Sequence, residues 1–170
     1  VKCTTQYIVG ASDETDREII TSMSSLYTDK HFHRIYFSAY QKGLGDPEIP
    51  GEKQFLTSPD KRFMREHRLY QVDFLLRRYG FTASEIPLDA SGNLSMAKDP
   101  KERWAEMHPE FFPIRINQAD REQLLRVPGI GQDTVKRILD LRRIAKITNP
   151  DVLGIKGVRL EKIKRHVIFE

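Results

Sequence analysis

A chain of 170 residues with 39% hydrophobic and 31% charged residues can bury a sizeable core and has the balance of an ordinary globular protein. No apolar run reaches bilayer length, no basic-then-apolar leader opens the chain, and a single cysteine, Cys3, excludes an intrachain disulfide framework, so no membrane partner and a cytoplasmic setting are expected. The net charge of +4 is uneven: residues 115–170 carry 13 Lys and Arg against 7 Asp and Glu, and the rest 15 against 17, which points to a polyanion at the C-terminal end.

Val1-Lys2 lacks an initiator Met, and the chain reads as a piece of a longer protein. Cys3 to Val9 reads as a strand, followed by an acidic turn and a helix with Ile19, Met23 and Leu26 inward and Ile20 and Tyr27 beside them. Thr15 and Glu18 have the spacing of a capping box, with Asp13 as an alternative cap. Arg34 to Tyr40 reads as a second buried strand, giving a βαβ unit with a parallel pair. Two parallel strands are too few, so further strands must come from a missing N-terminal part or another chain. His31 and His33 alternate in an extended segment, but two imidazoles without a third ligand do not make a metal site.

Turn formers, among them Gly43, Gly45 and Pro50-Gly51, make Gln41 to Asp60 a long connection. Arg65 to Phe81 then reads as a long helix with a glycine stop, buried through Leu69, Val72, Leu76 and Tyr79. Glu66, Tyr70, Asp73 and Arg77 share one of its faces, where ordinary helix stabilisation outweighs a polar cleft. After a turn at Asp89 to Asn93, the segment Pro87 to Pro113 packs through Leu94, Trp104, Phe111 and Phe112.

The most informative stretch runs from Leu124 to Leu139: a short helix stopped by Pro128 and Gly129, a turn at Gly131, and a second helix beginning at once. Gly131 is expected to take a φ that a β-carbon would penalise. The first amides of the following helix lack partners within it and sit at the positive end of its dipole, which suits a phosphate. A second copy follows from Val152 to Ile163, with Gly157-Val158-Arg159 in place of Gly-hydrophobic-Gly. Arg142-Arg143 and Lys162-x-Lys164-Arg165 are the densest basic patches, each as consistent with a solvated helix face as with phosphate contact.

This C-terminal stretch resembles the helix-hairpin-helix motif of DNA repair and DNA-uptake proteins, and the run from Ile116 to Ala119 looks like the lead-in of its tandem form. The resemblance implies that amides of Gly129, Gly131 and Thr134 meet phosphate and that Lys136 and Lys156 add charge, with Ile130, Arg137 and Gly157 completing the DNA-facing set. It also implies that carbonyls of Leu125, Val127 and Ile130 hold a monovalent cation.

Gln6 to Ala11 and Tyr36 to Ala39 are similar to late strands of a radical SAM barrel, which places Gly10, Ala11 and Ser38 at the adenine end of S-adenosylmethionine. With Asp99-Pro100-Lys101, Trp104, His108-Pro109-Glu110 and the hairpins, nearly the whole chain resembles the C-terminal portion of a bacterial family of radical SAM DNA modification or repair proteins. That resemblance implies a uracil-DNA glycosylase-like partner, and a 4Fe-4S cluster and S-adenosylmethionine in the intact parent. The cluster needs three cysteines and this chain has one, so the chain by itself is expected to hold no cofactor and to be inactive.

The expectation is an α/β plus all-α protein: a partial (β/α) barrel over 1–59, a helical connection over 60–113, and a tandem helix-hairpin-helix domain over 114–170 that binds DNA without sequence preference. The alternative is a scaffold whose hairpins dock a protein.

Overall fold

The computed structural model describes residues 2–43, 46–53 and 58–170, so Gly45 of the expected connection lies outside the described residues. The chain divides into two compact units in place of the three expected segments. The first runs to Arg77 and resumes over Phe81–Pro100; the second joins Arg78–Gly80 to Lys101–Glu170. The middle segment is therefore no body of its own.

In the first unit, β1 (Thr4–Val9) and β2 (Arg34–Ala39) pair in parallel, with Thr4 opposite Arg34 and Val9 opposite Ala39. They are joined by α1 (Asp16–Thr28), whose capping box of Thr15 and Glu18 is formed and whose Ile19, Ile20 and Met23 are buried. The βαβ expectation is met, but among the described residues the sheet has two strands and no barrel closes.

The outer edge of β2 is sealed by side chains. Parallel pairing turns every second amide of a strand away from its neighbour. On β2 these are Ile35, Phe37 and Ala39, which donate to Tyr27 Oη at 3.1 Å, Tyr70 Oη at 3.1 Å and Glu66 Oε2 at 2.8 Å. Tyr70 Oη donates back to the Phe37 carbonyl at 3.0 Å. Tyr70 and Glu66 come from α3 (Pro59–Arg78), which begins six residues before the expected start because Pro59 fits a first helical turn. Its stop is as expected, at Gly80 with φ of +72°. The polar face of α3 thus stands in for a third strand. The long connection also holds a short helix, α2 (Pro50–Lys53).

The second unit packs α5 (Arg121–Arg126), α6 (Gln132–Arg142) and α7 (Gly157–Lys164) around Leu124, Leu125, Val127, Ile138, Leu153 and Ile163, all fully buried. Asp120 caps α5 through a capping box with Gln123. Phe111 and Phe112, following α4 (Pro100–Met107), pack on this core. The expected all-α module is corrected by a parallel bridge between β3 (Ile114–Arg115) and β4 (Val167–Ile168). Asn117 reinforces that closure by donating to the carbonyls of Ile147 and Glu170.

Candidate nucleic-acid interface

The two hairpins repeat one another in a register that differs from the expected one. Gly129-Ile130-Gly131 corresponds to Gly154-Ile155-Lys156, and Gly157 falls one position inside α7. Gly129 and Gly154 both take left-handed φ values, +88° and +65°. Gly131 and Lys156 are both helix N-caps in extended backbone, with φ of −114° and −133°. The expectation that Gly131 needs a glycine's φ is thereby overturned; Gly129 carries that demand, and a lysine serves as the second cap because any residue adopts its conformation.

The first hairpin is turned towards its own unit. Pro128 and Ile130 are buried, and Gly129 and Gly131 are half-buried. Arg159 of α7 donates from Nε to the Gly129 carbonyl at 2.7 Å and from a terminal nitrogen to Thr134 Oγ1 at 2.8 Å. Gln132 reaches the Arg78 carbonyl at 3.0 Å, and a β-carbon at Gly131 would lie 3.1 Å from the Tyr79 hydroxyl. Thr134 is buried. Of the carbonyls implied to hold a monovalent cation, that of Val127 accepts the Ile130 amide at 3.1 Å, and that of Ile130 accepts Lys101 Nζ at 2.5 Å. Those two oxygens are engaged by the chain itself, and the implied metal ion does not fit them; Leu125, the third residue of the set, is buried.

The second hairpin faces solvent. Gly154, Lys156 and Gly157 are exposed, and the first turn of α7 carries no acidic residue, whereas that of α6 carries Asp133. Asn149 and the Asp151 carbonyl accept the amides of Asp151 and Gly154 and fix the approach to the turn. Arg137 of α6 donates to the Leu153 carbonyl at 2.5 Å, which brings a guanidinium against the turn, and Lys136 beside it is exposed. Lysine at the cap and arginine beneath it add charge where the α7 dipole is positive.

Elsewhere the basic patches are largely spoken for. Arg142 gives both terminal nitrogens to the Ala119 carbonyl, and burial lowers its pKa. Arg143 pairs with Asp140, Lys162 with Glu102 and Lys164 with Glu161.

In the first unit a cavity of about 380 Å³ opens at the C-terminal ends of the strands, where ligands of parallel α/β sheets bind. Gly10 lines it with Glu14, Asp16, Lys61, Arg62 and Arg65. Arg65 is fixed by Asp16 at 2.7 Å and the Glu14 carbonyl at 2.8 Å, and Glu14 accepts the Gly10 amide at 2.7 Å. Gly51 lies on the Gly10-Ala11 corner: its amide donates to the Ala11 carbonyl, and a β-carbon there would sit 2.5 Å from the Gly10 carbonyl oxygen. Ala11 is half-buried under that contact, and Ser38 sits half-buried on the sheet face shared with the exposed Ile8 and Tyr36. Of the three residues expected to share one cofactor, Gly10 lines this cavity and Ala11 and Ser38 do not. Cys3 is exposed, and among the described residues no three His, Cys, Asp or Glu gather as a metal site. His31, with φ of +54°, breaks the alternation expected for His31 and His33.

Compared with known proteins, the chain matches no family model, no curated protein and no solved structure. No helix among the described residues is long and apolar enough to cross a membrane. Sequence reasoning missed Lys101, Tyr79 and Arg159 as hairpin partners. Aligning the repeated Gly-Ile dipeptides would have set Arg159 opposite Thr134, which it contacts; no local pattern marks Lys101 or Tyr79.

Proposed function

We propose that this chain binds nucleic-acid backbone without sequence preference, and that it does so through the second hairpin, with the first hairpin as its packed counterpart. The supporting observation is the exposed turn from Gly154 to Gly157, which combines a lysine cap, a neighbouring arginine and an acid-free first helical turn. Main-chain amides and cations of this kind engage phosphate oxygens and read no base edges. DNA is the partner implied by the helix-hairpin-helix resemblance. On the same reading the chain is the C-terminal part of a cytoplasmic radical SAM DNA modification or repair protein that works with a glycosylase-like partner. Its iron–sulfur and S-adenosylmethionine chemistry lies outside this chain, and the strands that complete the sheet add beside β1, since β2 is already sealed.

The test is anisotropy of labelled duplexes of unrelated sequence, titrated between roughly 50 and 200 mM salt. Affinity should be alike for all sequences and fall log-linearly with salt, with a slope of about 3–5 for a module of this size. Lys156→Ala and Arg137→Ala should each weaken every duplex equally and lower the slope by about 1. Affinity that ignores salt and both substitutions would overturn the proposal. It would favour docking of a protein on this unit, for which the exposed Ile144 and Val158, 84% and 74% accessible, are the supporting observation.

A further inference from the structure

The first hairpin turns main-chain carbonyls inward, and a buried carbonyl needs a donor or a cation. The helix-hairpin-helix resemblance assigns that role to a monovalent metal ion. In this chain Lys101, from the first turn of α4, reaches one of the three carbonyls of that set: it is only 6% exposed, and its Nζ lies 2.5 Å from the Ile130 carbonyl oxygen and 4.7 Å from the centre of the Tyr79 ring. Carbonyl dipole and aromatic face are both ligands for a desolvated cation. A lysine is rarely buried this fully without such partners. Burying its ammonium is worthwhile because the charge serves a carbonyl that water reaches poorly, since Ile130 itself is 2% exposed.

We infer that the ammonium of Lys101 is the resident cation of the first hairpin, so that this hairpin holds its shape without a metal ion. The stem of Lys101 tethers the charge covalently, and its occupancy does not depend on the salt in solution. The inference borrows the hairpin likeness but does not require that the protein bind DNA.

The experiment uses the full chain without nucleic acid. Thermal unfolding is followed at one ionic strength in potassium, sodium and tetramethylammonium chloride, the last too large to sit on a turn of carbonyls. The native chain should melt at the same temperature in all three, and added potassium should leave the sodium-23 NMR linewidth in its presence unchanged. Lys101→Met keeps the stem and removes the ammonium; it should melt roughly 5 °C or more below the native chain in tetramethylammonium, because the Ile130 carbonyl then loses its partner. A native chain whose melting temperature rises in potassium or sodium, or whose sodium line is broadened and relieved by potassium, would overturn the inference. So would a folded Lys101→Met that melts with the native chain. Should that variant fail to fold, the native-chain measurements decide alone. Loss of DNA binding would count against the proposed function and leave these readings unaffected.

Discussion

Gly129 and Gly131 look interchangeable in a Gly-x-Gly motif, yet their surroundings assign them unlike tasks. A side chain at Gly129 would adopt φ of +88° and bring its β-carbon 2.9 Å from the Arg159 carbonyl oxygen, a main-chain atom that cannot swing aside. At Gly131 the backbone is ordinary, and the only contact within 3.4 Å is a tyrosine hydroxyl. Gly129→Ala should therefore cost about 2–4 kcal/mol and Gly131→Ala under about 1 kcal/mol, read from urea unfolding of the full chain. At Gly154 the obstacle is the end of Arg137, a movable side chain, so Gly154→Ala should fall between them at about 1–2 kcal/mol. Equal costs at Gly129 and Gly131 would contradict the conformations described. The glycines were legible as a turn, but which one is strained depends on where the next helix starts, and both N-caps admit any residue.

At the scale of elements, α3 explains how a two-stranded sheet manages one of its edges. Glu66, Tyr70, Asp73 and Arg77 were legible as one helix face because helical spacing places them together. Spacing does not say what a face meets: Glu66 and Tyr70 proved to meet the amides of β2, while Asp73 accepts from Tyr27 and Arg77. Tyr70→Phe should remove both bonds to Phe37 and cost about 1–3 kcal/mol in urea unfolding, although the ring stays stacked edge-on against Phe37. Tyr27 adds a pH signature. Burial, and then its hydrogen bond to Asp73, push its phenol well above the ordinary tyrosine value. A raised folded pKa means the unfolded chain releases the proton first, so this contribution is intact below about pH 10 and declines as pH rises beyond it. Melting temperatures measured from pH 8 to 11 should fall at the alkaline end in the native chain, and Tyr27→Phe should flatten that fall while lowering stability at pH 8. A variant with an unchanged alkaline limb would show that Tyr27 does not titrate as its surroundings require.

For the whole molecule, the strand–helix–strand start and the hairpin tandem were legible because each has a local period or a turn signal. The division into units was not, because it follows contacts between distant segments: Asn93 accepts the Asp16 amide, and Lys162 pairs with Glu102. The same non-local logic leaves β1 unlike β2. The Tyr40 amide donates to the Val9 carbonyl, so Val9, Tyr7 and Thr5 turn their amides towards β2, and those of Thr4, Gln6 and Ile8 point away from it. All three of these residues are exposed. Hydrogen exchange should accordingly be slow at Tyr7 and Val9, slow at Phe37 and Ala39 behind the side chains of α3, and fast at Gln6 and Ile8. If a neighbouring strand completes this sheet in a longer protein, Gln6 and Ile8 become protected there while the other four keep their rates. Protection of Gln6 and Ile8 in this chain alone would mean that β1 already has a partner in solution, and the place assigned to further strands would have to move.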